Sequence, residues 1–122
     1  MVIYRGEREK RMEKNTAFPN IDREEGKTAL FGALRAIEAL RPITDEELNR
    51  AAEAVIAADL DYMTKAGVDR GEVYDEDAAF LAIKRALAAA LPKRRGDWDE
   101  LADFAMEAWE IYLDAAGVIE WD

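Results

Sequence analysis

Residues 28–42 read TALFGALRAIEALRP, and fifty positions on residues 78–92 read AAFLAIKRALAAALP. Five of the fifteen aligned pairs are identical: Ala29/Ala79, Arg35/Arg85, Ala36/Ala86, Ala39/Ala89 and Pro42/Pro92. Leu30/Phe80, Phe31/Leu81 and Ile37/Leu87 exchange one large apolar side chain for another. The offset returns at Tyr62/Tyr112 and at Ala66-Gly67-Val68 against Ala116-Gly117-Val118. Between these blocks a helix-start pattern recurs at an offset of 53, Thr44-x-x-Glu47-Leu48 against Asp97-x-x-Glu100-Leu101. A longer second loop balanced by a shorter second helix produces that slip. Apolar spacing within each copy is helical, so the chain reads as two helical hairpins in tandem.

The first helix is expected from Asp22 to about Leu40. Asp22 and Glu25 stand at capping-box spacing, and Ala29, Leu30, Ala33, Leu34, Ile37 and Leu40 form the apolar stripe. Pro42 prevents continuation and disfavours helical geometry at the residue before it. The second helix opens at Thr44, with Asp45, Glu46 and Glu47 at the positive end of the macrodipole, and stops near Ala66, where Gly67 suits a left-handed cap. The third covers 76–91 and stops at Pro92. After the basic loop Lys93-Arg94-Arg95-Gly96, the fourth opens at Asp97 and ends before Gly117. Residues 1–21 read as a charged arm or short helix over 6–14 followed by a loop at Pro19. Val2-Ile3-Tyr4, Val73-Tyr74 and Val118–Trp121 are short extended candidates, and either of the last two could pair with the first, though strands so short are marginal. The predicted fold is an all-α antiparallel helical bundle in one domain: arm 1–21, hairpins 22–68 and 73–118, tail 119–122.

A chain of 122 residues buries a core without staples, and none of the cysteine kind is on offer, because there is no Cys. There is no His, which removes the commonest general base and metal ligand. No apolar run reaches the roughly 18–20 residues of a membrane span. The N-terminus is charged from Arg5 to Lys14 without an apolar core, so a cytoplasmic protein is expected. The net charge is −10, and residues 96–122 carry nine acids and no Lys or Arg. Such a surface does not bind nucleic acid directly, because phosphates need cations.

On the fourth helix Trp98, Leu101, Phe104, Ala105, Ala108, Trp109, Ile111, Tyr112 and Ala116 share one broad face, and Asp99, Glu100, Asp103, Glu107, Glu110 and Asp114 take the opposite arc. Solvated helices usually mix charge signs, since like charges at i,i+4 repel by a few tenths of a kcal/mol. A single-sign arc is either a solvating face or a docking surface for a basic protein surface, steered electrostatically. Trp121 in the tail either folds back or is presented to that partner. The all-α pyrophosphohydrolases hold magnesium with a Glu-Glu-x-x-Glu element well before a Glu-x-x-Asp. Here Glu100-x-x-Asp103 lacks that element: Arg50 follows Glu46-Glu47, and Thr28 follows Glu24-Glu25, where the third Glu belongs. No metal, cofactor or catalytic residue is therefore assigned.

Asp59 falls among Leu48, Ala52, Val55, Ile56 and Met63 on the second helix. It is expected to be buried and paired with Arg35, Arg85 or a Tyr hydroxyl; the sharper alternative is a general base or metal ligand with a raised pKa. Helix 76–91 is apolar nearly all round, so it is either central or the face of a homodimer. The leading functional expectation is a non-enzymatic acidic interaction module, by analogy an inhibitor or immunity-type partner of a nucleic-acid-handling protein. The alternatives are a carboxylate-based metal-dependent enzyme acting on a nucleotide or other phosphate, and an assembly subunit of a larger helical particle.

Overall fold

The computed structural model describes residues 2–4, 18, 21–92, 98–117 and 119–121. The element order is β1 (Val2–Tyr4), α1 (Arg23–Arg35), α2 (Asp45–Ala66), α3 (Glu76–Ala90), α4 (Trp98–Ala115) and β2 (Ile119–Trp121). The helices form a ring in chain order: α1 packs on α2, α2 on α3, α3 on α4, and α4 closes back onto α1. That is an all-α antiparallel bundle of two similar hairpins. β1 and β2 pair antiparallel, Val2 opposite Trp121 and Tyr4 opposite Ile119, which is one of the two pairings the sequence left open. Val73-Tyr74 does not become a strand: Val73 is exposed and Tyr74 turns into the core. The arm over 6–14, the Pro19 loop, the Lys93-Arg94-Arg95 loop and the Asp97 start lie outside the described residues.

Caps set the helix ends. The Asp22 carboxylate accepts from the Glu24 and Glu25 N–H groups at 3.0 and 3.2 Å. Thr44 and Glu47 form a full capping box, which satisfies two of the N–H groups that a helix start leaves unpaired. Gly67 closes α2 at φ 77°, in the left-handed region where a side chain is strained.

α1 stops at Arg35, five residues short of the expected Leu40. Ile37 is extended (ψ 120°), a 3-10 turn covers Glu38–Leu40, and Arg41 keeps helical angles although Pro42 follows it. The break has a visible cause in Arg35. Its guanidinium donates to the carbonyls of Leu40 (2.8 Å), Arg41 (3.1 Å) and Ile43 (3.0 Å) and to the Asp45 carboxylate (2.7 Å). One cation thus pins the carbonyls of the turn and loop that follow the helix.

The tandem repeat survives in the packing. Seven α2/α4 pairs at an offset of fifty are buried in both copies: Ala51/Leu101, Ala52/Ala102, Val55/Ala105, Ile56/Met106, Asp59/Trp109, Leu60/Glu110 and Met63/Leu113. The first helices keep a different register, with buried Gly26, Leu30 and Leu34 matched by Ala79, Ile83 and Leu87 at an offset of 53, as are their caps Asp22 and Asp75. Their identical residues at fifty therefore point in different directions: Ala29 is exposed and Ala79 buried. A second sign of symmetry is reciprocal capping. The Tyr62 hydroxyl accepts from the Asp75 N–H at the start of α3 (2.9 Å), and the Tyr112 hydroxyl accepts from the Asp22 N–H at the start of α1 (3.0 Å). Each hairpin's second helix thereby ties down the other hairpin's first.

Candidate functional site

Asp59 sits on the inner face of α2 with none of its surface exposed. It does not meet Arg35 or Arg85, the cationic partners expected from sequence. Arg35 is engaged with the loop after α1, and Arg85 lies on the exposed side of α3. The Tyr expectation holds instead. Tyr74 donates to both carboxylate oxygens at 3.0 and 3.1 Å, and the Trp109 indole N–H donates to Oδ2 at 2.8 Å. Burial pushes the Asp59 carboxyl up to about 6, against the pull of its Trp109 and Tyr74 donors. Neutral donors soften the cost of a buried charge but do not cancel it. The Trp109 ring also stacks on Tyr112, with centroids 5.4 Å apart, which links the core carboxylate to the α1 cap.

The buried face of α4 is rotated by about one residue position (~100°) from the expected one. Ala102, Met106 and Leu113 point inward, while Phe104 is 41% and Ile111 65% exposed. The apolar residues of α4 span more than half the wheel, so one edge must be left out. Packing between α1 and α3 selects the Met106–Leu113 edge. Glu110 lies just beyond Met106 on the wheel, about 40° further round, and is carried in at the margin, to 6% exposure. This corrects its expected place at the centre of an exposed arc.

Asp99, Glu100, Asp103, Glu107 and Asp114 are exposed, as expected. Lys84 of α3 forms an ion pair with Asp99, so that end of the arc has a cationic neighbour. Asp103, Glu107 and Asp114 have no ion-pair partner among the described residues. Trp121 is placed by its backbone in β2; its side chain lies outside the described residues.

Beside the arc runs an open groove between α3 and α4, lined by Glu76, Asp77 and Phe80 from one helix and by Asp103, Phe104, Met106, Glu107 and Glu110 among others from the second. Sequence reasoning missed Glu76. It opens α3, and only the antiparallel crossing of α3 and α4 brings it to Glu110. Burial raises the Glu110 carboxyl to about 8, helped by a hydrogen bond to Glu76 and by repulsion from Glu76, Asp59 and Glu107. Among the described residues no three acidic side chains converge as a metal cluster, and no helix is long and apolar enough to cross a membrane. Comparison with protein-family models, curated proteins and solved structures finds no match.

Proposed function

We propose that this protein is a non-catalytic docking module that receives a basic protein surface on the outer face of α4. The observation that supports this reading is a juxtaposition. Two large apolar side chains, Phe104 and Ile111, stand exposed among carboxylates that no described cation neutralises, Asp103, Glu107 and Asp114. Interfaces combine an apolar patch with a polar rim, and single-sign charge accelerates encounter with an oppositely charged partner. A partner built to handle nucleic acid carries cations spaced for phosphates, and an acidic helix that occupies them blocks phosphate access. An inhibitor of such a protein is the specific form of this reading.

The test uses Asp103→Lys with Glu107→Lys, both exposed, so the fold should stand with a cost within about 0.5 kcal/mol per site. Glu110 is excluded from this pair because it is buried. A pull-down from the native host at low salt should retain basic proteins with the natural chain. The doubly reversed chain should lose them, with the retained association falling at least tenfold and its salt dependence weakening. Equal capture by both chains at low salt would refute the reading.

A further inference from the structure

Resting on that docking reading, we infer that the α3–α4 groove is a receptor for one arginine side chain of the basic partner, seated on the Glu76–Glu110 carboxylates between Phe80 and Phe104. Four features of the groove carry this. First, Glu110 is 6% exposed, and its Oε2 is buried with no hydrogen-bond partner. Native proteins leave few such atoms, since each costs about 1–3 kcal/mol, so a buried acceptor that lines an open groove asks for a donor from outside. Secondly, the charged groups that face it among the described residues are all acidic. The groups facing Glu110 are Glu76 on α3, Glu107 on its own helix, Asp59 on α2 and the Tyr74 hydroxyl before α3.

Thirdly, the walls are aromatic. Phe80 is half-buried and Phe104 more exposed, and both line the same groove as the carboxylates. A guanidinium is planar, offers five donors in a fork that fits carboxylate oxygens, and lies well against aromatic faces. An ammonium uses such walls less well. Fourthly, the described carboxylates do not converge in threes. A calcium or magnesium ion asks for about six oxygen ligands in a shell, which carboxylates strung along an open groove with two Phe side chains do not provide. The groove is about 740 Å³ and open along one side. That suits a side chain projecting from a longer segment rather than an enclosed small molecule. Asp77, Asp103 and Glu107 at the rim draw the cation in.

The probes are three blocked tripeptides, Gly-Arg-Gly, Gly-Lys-Gly and Gly-citrulline-Gly, and magnesium chloride alone, each titrated into the full chain and followed by amide chemical shifts. The arginine peptide should shift residues of the first turns of α3 and the facing turns of α4. Citrulline, which keeps the shape and loses the charge, should bind at least tenfold more weakly, and lysine several-fold more weakly. Glu110→Gln should lose at least tenfold in arginine-peptide affinity while remaining folded, because an uncharged amide relieves the repulsion from Glu76. Phe104→Ala, at an exposed position, should weaken the same peptide several-fold. Binding near pH 7 should release protons, read as a buffer-dependent heat, as the Glu110 carboxyl ionises against the guanidinium. Equal binding of arginine and citrulline peptides, shifts mapping to another face, an unaffected Glu110→Gln, or the same shifts from magnesium at lower concentration would each overturn the proposal. The two readings fail separately: partner capture that depends on Asp103 and Glu107 while Glu110→Gln binds the peptide normally sinks only the arginine receptor, and equal capture by the natural and doubly reversed chains sinks the docking reading.

Discussion

Asp59 holds together three elements through one carboxylate, because Tyr74 reaches it from the start of α3 and Trp109 from α4. Truncation to Asp59→Ala strands an indole N–H and a phenol O–H in the core. The expected cost is ~2–4 kcal/mol, from two donors left unsatisfied plus a small cavity, measured as a lower urea midpoint with an unchanged slope. Gly26 makes a second residue-scale case. A Cβ there would stand 2.9 Å from Trp109 Cζ3 and 3.3 Å from Tyr112 Cε2, both ring atoms. Alanine is worth up to ~1 kcal/mol over glycine in a helix, but forcing the stacked Trp109–Tyr112 rings aside costs about 1–3 kcal/mol. Gly26→Ala should therefore destabilise on balance, by about 1 kcal/mol, and a raised melting temperature would contradict the packing described.

At the scale of elements, the two tyrosine caps offer a paired measurement. Tyr62→Phe and Tyr112→Phe each remove an acceptor from the first N–H groups of a helix in the other hairpin. Each should cost about 0.5–1.5 kcal/mol. Tyr112→Phe should cost more, since its hydroxyl also donates to the Asp22 carbonyl at 3.1 Å. Urea titration of both variants decides the order. The ends of α2, α3 and α4 were legible because they depend on local chemistry: Thr44 with Glu47, Pro92, Gly67 and Gly117. The end of α1 was not, since it turns on an Arg35 side chain whose acceptors exist only after the loop has folded back. The repeat was legible as an offset. Its three-residue slip between α1 and α3 was hidden, because alanine fits a buried or an exposed position equally well. Burial of Asp59 could be read from its apolar neighbours, and a Tyr hydroxyl as one candidate partner, but neither which Tyr nor the Trp109 indole. Tyr74 arrives from a loop and Trp109 from the opposite corner of the ring. Glu110 was misplaced because a wheel with apolar residues on both edges does not say which edge the neighbouring helices will cover.

Across the whole molecule, acid groups with raised pKa values give stability a definite pH trend. In the folded chain Asp59 holds its proton up to about 6 and Glu110 up to about 8, whereas an unfolded chain releases both near ~4. Between these limits the folded state binds more protons than the unfolded one, so stability falls as pH rises. The Asp59 shift alone corresponds to ~3 kcal/mol lost between pH 4 and pH 7. Self-repulsion of a chain with net charge −10 acts in the same direction. Urea titrations at pH 5, 7 and 9 should give steadily lower midpoints, and Glu110→Gln should flatten the step between 7 and 9. A rise in stability from pH 5 to pH 9 would show that neither carboxyl is perturbed as described.

The hydrogen bond from Trp109 to Asp59 joins positions that are fifty residues apart, the period of the repeat itself. A site that touches its own counterpart lies close to the axis relating the two hairpins. Were the bundle assembled from two identical hairpins, both sides of that axis would carry the same residue. Two carboxylates would then repel, or two indoles would meet with donors and no acceptor. Covalent tandem linkage removes the constraint: one copy keeps an acceptor and the other a donor, and a bond forms that no symmetric pair of chains can make. Exchanging the two residues (Asp59→Trp with Trp109→Asp) would invert that asymmetry without altering composition.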